Sequence, residues 1–141
     1  MSEEPISTNS VINQVLLKVI ELAQAEVTQT IIIGALPADE SISFAIGAGG
    51  ADTTFFPKSM SYELDIVVNG KSFNAETISD ALNNIHQALT MATSYPSTND
   101  WQITNISTIN TPNYLSIEEN GQILYGSSIR VRFYFLKKGA S

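Results

Sequence analysis

The sequence predicts an α+β fold: an antiparallel β-sheet with two α-helices packed on one face, a β-hairpin and a long glycine-rich loop. Apolar residues alternate with polar residues over 61–68 and over 128–136, as strands with one solvated face require. Over 12–23 and 78–92 they recur every three or four residues, which is the period of an amphipathic helix. Because the helices are segregated from the hairpin-forming strands, we expect both helices to cover the same face of the sheet.

The segment Ser61–Thr93 joins a strand to a helix and forms the centre of the predicted core. Asn69-Gly70 readily adopts positive φ, so it predicts a turn that ends the strand. Asn74 has the short polar side chain that caps helix N-termini, and Pro96 is expected to end the helical run. A strand and a helix that each have one apolar face, joined by a short link, should pack together.

The N-terminal part of the chain contributes an arm, a helix and two strands. Residues 1–9 are polar and contain a proline, which predicts a flexible arm before an apolar first helix. Two strands are predicted next, at Thr30–Ile33 and Ser41–Ile46, from their β-branched residues and their alternation. The segment 47–60 begins with three glycines in four residues, and we expect a mobile loop or β-arm there.

The C-terminal part is predicted to be all β. Its strand segments are Trp101–Ile109, Tyr114–Ile117, Ile123–Gly126 and Ser128–Leu136. Pro112 is expected to break the first segment from the second, and Asn120-Gly121 predicts a hairpin between two β-rich runs. No interior linker is long enough to divide the chain, so we expect a single domain over 10–138 and a short tail over 139–141.

Composition excludes several classes of function. Fourteen acidic residues against seven basic ones give a formal net charge of −7, which excludes general nucleic-acid binding because phosphate neutralisation needs clustered Lys and Arg. The absence of cysteine excludes disulfides, thiolate metal sites and thiol nucleophiles. No run approaches the roughly 18 apolar residues of a membrane helix, and the N-terminus lacks the pattern of a signal peptide. We therefore expect no membrane partner and no export signal.

The residues that could carry catalysis form no recognisable constellation. His86 is the single histidine, and it lies at the flank of a helical apolar stripe, where a boundary residue is the more common interpretation. Glu63 and Asp65 share the wet face of one strand, and paired carboxylates can bind a metal or act as acid and base, but they more often form a solvated face. We expect no enzyme activity, no catalytic residues, no cofactor and no metal.

Two groups of residues are candidates for contacts with other proteins. Phe55 and Phe56 place two aromatic rings in a segment that otherwise resembles a loop, which favours docking on a partner. Four of the seven basic residues lie near the C-terminus, including Arg130 and Arg132, whereas the rest of the chain is acidic. This asymmetry favours contact between unlike surfaces of like subunits; the alternative is a sheet edge protected by charge.

The order of motifs carries a family resemblance over roughly residues 10–136. A strand, the tripeptide NGK and a helix are followed by a tryptophan-led strand, the segment TPNYL, the hairpin ENGQILYGSS and an alternating RVRFYF end. In this order and spacing the chain resembles the tail terminator and minor capsid proteins of long-tailed bacteriophages.

The resemblance implies a structural virion protein that forms a ring, usually of six subunits, at the head–tail junction. Such a ring caps the tail tube and presents the docking surface for the head connector, so the implied partners are further copies of the chain, the tail tube protein and a head connector or head-completion protein. Assembly would take place in the host cytoplasm. DNA would pass through the bore without specific binding, and Glu63 and Asp65 are candidates for lining it because DNA would adhere to a basic wall.

Two other classes of function stay open at this stage. Another ring-forming tail or connector subunit, such as a tube or head-completion protein, would share the same sequence features. A small α+β ligand-binding module or enzyme would instead contain a concave polar pocket with a group of perturbed pKa.

Overall fold

A computed structural model describes residues 8–47, 54–55 and 59–136. The helices and strands, in chain order, are α1 Thr8–Gln24, β1 Ile31–Ile33, β2 Ser41–Ile46, β3 Thr54–Phe55, β4 Ser59–Ser72, α2 Ala75–Thr90, β5 Trp101–Ile117 and β6 Ile123–Leu136. The first helix begins at Thr8, so the last two residues of the predicted arm are helical. The predicted tail, 139–141, lies outside the described residues.

The strands form one sheet in the order β1-β2-β4-β6-β5, with β3 paired on β4. The strand pairs β2–β4, β3–β4, β4–β6 and β5–β6 are antiparallel. The short strand β1 is parallel to β2, with Ile31 opposite Ile42 and Ile33 opposite Phe44. The predicted α+β class is therefore confirmed, and the sheet is mixed rather than purely antiparallel.

Helix α2 covers the apolar face of the central strands. Its apolar stripe is fully buried, and the Asn74 side chain caps its N-terminus by accepting from the backbone N–H of Thr77 at 3.1 Å, as predicted. The stripe consists of Ile78, Leu82, Ile85 and Leu89. The helix ends at Thr90, well before Pro96, so the expectation that Pro96 ends it was wrong. The Pro96 carbonyl instead accepts a hydrogen bond from the backbone of Ile103 at 3.2 Å.

Helix α1 crosses the same sheet face from one edge to the other. Near its start, Gln14 Oε1 accepts from the indole N–H of Trp101, on edge strand β5, at 2.8 Å. At its end, Gln24 Oε1 accepts from the backbone N–H of Ile31, on edge strand β1, at 3.0 Å. The ten-residue rise from Gln14 to Gln24 is about 15 Å, and the two long glutamine side chains supply the remaining reach to the edge strands.

Strand β4 does not turn at Asn69-Gly70; it continues to Ser72. The predicted turn was wrong because Gly70 serves a different purpose there, and its φ is not positive. A Cβ built on Gly70 would lie 2.4 Å from Cδ1 and 3.0 Å from Cγ1 of Ile78, and 3.3 Å from Cγ1 of Ile42. Glycine therefore permits the close approach of α2 to the sheet.

The C-terminal part contains two long strands instead of four short ones. Strand β5 passes through Pro112, where a break was predicted, and β6 runs without interruption from Ile123 to Leu136. An edge strand tolerates proline at a position that points away from the sheet, because no neighbouring strand needs an N–H donor there. Register shifts between β5 and β6 occur on both sides of Pro112. The predicted hairpin turn is confirmed: Gly121 has φ 92° and donates its N–H to Glu118 O at 2.9 Å.

Part of the segment 47–60 adopts β structure. Thr54 lies opposite Ser61, and Phe55 lies opposite Met60, in a short antiparallel pair with the start of β4. This pairing agrees with the β-arm alternative at these two positions. Residues 48–53 and 56–58, including Phe56, lie outside the described residues.

We expect Gly70→Ala to lower the free energy of unfolding by about 1–3 kcal/mol, because the new methyl group overlaps a fully buried Ile78 side chain. Denaturant unfolding measures the loss. Adding Ile78→Val to Gly70→Ala removes Cδ1 of Ile78 and should recover part of the lost free energy of unfolding. Gly47→Ala is the control, since a Cβ there makes contacts of 3.5 Å or longer. Equal effects of Gly70→Ala and Gly47→Ala would show that helix approach does not explain Gly70.

Candidate functional site

The sheet face opposite the helices carries four paired charges. Antiparallel register places Glu63 opposite Arg132 and Asp65 opposite Arg130. The structure thus brings together the two arginines predicted as subunit contacts and the two carboxylates predicted to line a bore. We call these four side chains the ion-pair face.

The ion pairs are formed by direct hydrogen bonds. Arg130 donates from Nε to Asp65 Oδ1 at 2.8 Å and from Nη2 to Oδ2 at 3.1 Å, which is the bidentate geometry that favours arginine. Arg132 donates from Nε to Glu63 Oε2 at 3.0 Å, and its Nη2 contacts the same oxygen. Arg130 Nε also lies 3.9 Å from Glu63 Oε1, which links the two pairs.

Two positive and two negative charges cancel on the ion-pair face. The hydrogen bond and the charge of Asp65 raise the pKa of Arg130, with a further contribution from Glu63. The side chains are between 25% and 52% exposed, so water screens the pairs and their contribution to stability is small. The face is therefore neutral, polar and already satisfied within one subunit.

His86 is buried between α2 and the C-terminal hairpin, not at a solvated boundary. Its Nδ1 lies 2.8 Å from Thr108 Oγ1 on β5, and its Nε2 lies 2.8 Å from Ser127 Oγ on β6. Ser127 donates its hydroxyl proton to Val68 O on β4 at 2.6 Å. Ser127 must therefore accept from His86 Nε2–H, which leaves Nδ1 as the acceptor for the Thr108 hydroxyl.

This network joins a helix to three strands and needs a neutral imidazole. Burial lowers the pKa of His86. Both ring nitrogens of His86 contact hydroxyl groups and not a carboxylate, and Ser127 donates its proton to a backbone carbonyl. The Ser127–His86 contact therefore lacks the arrangement of a nucleophile and its general base. The arrangement supports a structural role for His86.

The hairpin turn is tied to β4 and to the loop before β2. Lys71 is 4% exposed and pairs with Glu118 at 3.1 Å. Gln122 donates to Ala38 O at 2.6 Å. Glu40 accepts from the Ser72 hydroxyl and from the backbone N–H of Phe73, and these hydrogen bonds lower the pKa of Glu40. Sequence analysis missed this set because its members are distant in the chain.

The end of the C-terminal hairpin exposes large apolar side chains. Tyr114 is 56% exposed, Leu115 49% and Ile117 61%, and Phe73, beside the turn at Gly121, is 59% exposed. Tyr114 and Ile117 lie on the helix side of the sheet, whereas Leu115 lies on the opposite face. We call Tyr114, Ile117 and Phe73 the hairpin end. Apolar residues exposed together in this way mark a surface that associates with another molecule. The sequence signal was present in the segment TPNYLSI, which was interpreted as a break at Pro112 followed by a strand and not as a surface.

The described residues contain no group of three or more His, Asp or Glu side chains placed to hold a metal ion. Among these residues no helix is long and apolar enough to cross a membrane. A shallow depression lies on the sheet face opposite the helices, lined by Val67, Asn69, Asn110, Asn113, Leu115, Gly126, Ser127 and Ser128. Its lining offers hydrogen-bonding groups but no charge.

The fold resembles that of a chain in one solved virion structure. No protein-family model matches the chain, and a search of curated proteins finds no relative. A solved chain from the "Virion of native gene transfer agent (GTA) particle" superposes with a TM-score of 0.58 and 12% sequence identity. The match covers 87% of this chain and 94% of that chain. At this identity the likeness shows a shared fold.

We expect the network around His86 to make stability fall in mild acid. The folded state lowers the His86 pKa below its unfolded value near 6.5, so the stabilisation is complete above that pH and is lost as pH falls. Between pH 7.5 and 5.5 the melting temperature of the wild type should drop about 2–4 °C more than that of His86→Gln.

The comparison uses the difference between the two proteins because carboxylates such as Glu40 also destabilise the fold in acid, and they are present in both. Thr108→Val is the matched control, since it removes one partner but keeps the histidine. Parallel melting curves for the wild type and His86→Gln would contradict the assignment.

Proposed function

We propose that this chain is a structural virion protein that forms a closed ring at the head–tail junction, where it caps the tail tube and receives the head connector. The observation that supports the proposal is the structural match to a virion chain over 87% of this chain and 94% of that one. Because the match covers most of both chains, the two proteins share the fold of the whole domain and not merely a small substructure. The order of sequence motifs supports the same class.

The surfaces of the subunit suit a ring. A closed ring is built from heterologous contacts, in which one patch meets a different patch on the next copy. The chain offers such unlike patches: an apolar hairpin end at the far end of β5, and exposed leucines Leu17 and Leu22 on α1. The aromatic pair Phe55 and Phe56 stays a proposed contact with the tail tube or a neighbour.

For the ion-pair face we propose the bore in preference to a subunit contact. Arg130 and Arg132 already have carboxylate partners within their own subunit, so a neighbour would have to compete for them. With Glu63 and Asp65 the face is neutral, so it cannot neutralise phosphates and gains none of the counterion release that makes DNA adhere to a basic surface.

Native mass spectrometry over a concentration series, with negative-stain images of the same samples, tests the ring. We expect one discrete assembly, a hexamer in the simplest case, visible as a closed ring. Long open tubes would instead assign a tube subunit. A monomer at every concentration, with no binding to isolated tail tubes, would contradict the proposed function.

A charge swap tests the role of the ion-pair face. Glu63→Arg and Asp65→Arg combined with Arg130→Glu and Arg132→Glu retains every pair with its polarity reversed. We expect the melting temperature and the assembly state to match those of the wild type, because a satisfied neutral face contacts no neighbour.

The matched control is Arg130→Glu with Arg132→Glu alone, which places four acidic side chains on adjacent strands and should weaken the fold through repulsion. Loss of assembly in the folded four-residue swap would assign Arg130 and Arg132 to a subunit contact instead of the bore.

A further inference from the structure

The hairpin end lies beyond the helical cover of the sheet. Ile78, on the first turn of α2, packs over Gly70, which is opposite Tyr125 on β6 and, through it, Tyr114 on β5. The next core-facing row toward the turn contains Ser72, Ile123 and Ile117. Because α2 begins at Ala75, this part of the sheet has no helix above it, which explains the exposure of Ile117.

The open edge of β5 is not suited to adding another strand. Pro112 has no N–H to donate, and register shifts between Thr108 and Asn110, between Asn110 and Asn113 and between Tyr114 and Ser116 interrupt the ladder. At the opposite edge of the sheet, the outward N–H of Ile31 is occupied by Gln24. We therefore expect a partner to bind the hairpin end through side-chain contacts and not by adding a strand to the edge of the sheet.

Helix α1 presents a surface that fits the hairpin end. Leu17 is 55% exposed and Leu22 37% exposed, and the ion-paired Lys18 and Glu21 lie between them on the outer side of the helix. Gln14 fixes this helix to the first residue of β5, whereas the hairpin end is at the last residues of that strand. At its other end α1 contacts Ile31 on β1, which lies in the same row of the sheet as Tyr114, so this end of α1 and the hairpin end lie at opposite edges of the sheet, about 19 Å apart.

Charge is complementary between the two patches. Arg130 and Arg132 each pair with a carboxylate on β4, and Lys71 pairs with Glu118 of the hairpin turn. Of the cations whose side chains the structure describes, Lys18 alone pairs only within its own helix, with Glu21 at 3.6 Å, where both are widely exposed. The hairpin turn carries Glu118 and the exposed Glu119 next to the hairpin end.

We propose that the hairpin end of one copy packs on α1 of a second copy, with Tyr114 and Ile117 against Leu17 and Leu22 and the Glu119 carboxylate facing Lys18. The contact is heterologous, because the hairpin end and the outer side of α1 are different surfaces of the subunit. It rests on the proposed ring and names the surfaces that close it. Repetition of one such contact generates a ring when the rotation closes.

Cysteine cross-linking tests the contact, since the chain contains no cysteine and each introduced thiol is unique. Lys18→Cys and Glu119→Cys are made singly and together, and oxidised with a mild disulfide catalyst. The double variant should give a ladder that ends at the ring size, and a mixture of the single variants should give dimers. Each single variant alone should give almost none.

The outcomes separate this inference from the proposed function. Efficient dimers from Glu119→Cys alone would show a symmetric hairpin-to-hairpin contact and overturn the inference. Closed rings in the images without cross-linked products would overturn the inferred contact but would still support the proposed ring. A ladder without closed rings would support the contact and refute the ring. A monomer that neither cross-links nor binds isolated tail tubes would overturn both.

A second set of variants tests the apolar part of the contact. Leu17→Ser should weaken self-association about tenfold, because it removes one leucine from a buried interface, and should leave the fold intact because Leu17 is exposed in the subunit. Met91→Ser, at a residue that is 70% exposed but outside both patches, is the control and should associate as the wild type does. Equal association of Leu17→Ser and Met91→Ser would exclude α1 from the contact.

Discussion

The close approach of α2 to the sheet at Gly70 determines where the other elements lie. With no Cβ at this position, Ile78 fills the space above β4 and the helix descends onto β4, β5 and β6. This close approach of α2 to the sheet brings His86 within hydrogen-bonding distance of Thr108 and Ser127. The two hydrogen bonds fix the helix to both strands of the C-terminal hairpin. Helix α1 then packs beside α2 and bridges the two edges of the sheet.

The same placement leaves the hairpin end without cover. Strands β5 and β6 are longer than the helical layer, so their last rows extend past the start of α2 and expose Tyr114 and Ile117. The Lys71–Glu118 pair and the Gln122 hydrogen bond hold the turn firmly to the body of the domain. An apolar surface held on a fixed projection is preorganised for binding, which lowers the conformational entropy lost on association.

Local patterns in the sequence predicted the elements whose cause is also local. The alternation at 128–136, the helical period at 78–89 and the Asn74 cap depend on neighbours within a few residues, and all three are present. Asn69-Gly70 was misassigned because the reason for its glycine is Ile78, a helix packed across the sheet. The charge pairs were missed for the same reason: Asp65 and Arg130 meet only through the register of β4 and β6.

Charge sets a condition on any assembly of this chain. Each copy carries a formal net charge of −7, and its sheet-face arginines are already neutralised within the subunit, so approaching copies repel one another at long range. At 0.1 M salt that repulsion is screened beyond about 10 Å, whereas apolar contact is not weakened by salt. An interface of this protein therefore needs an apolar centre, with a single pair such as Lys18–Glu119 giving orientation more than affinity. The hairpin end supplies such a centre, and it is the part of the described surface where the fold leaves the largest apolar side chains together without a helix above them.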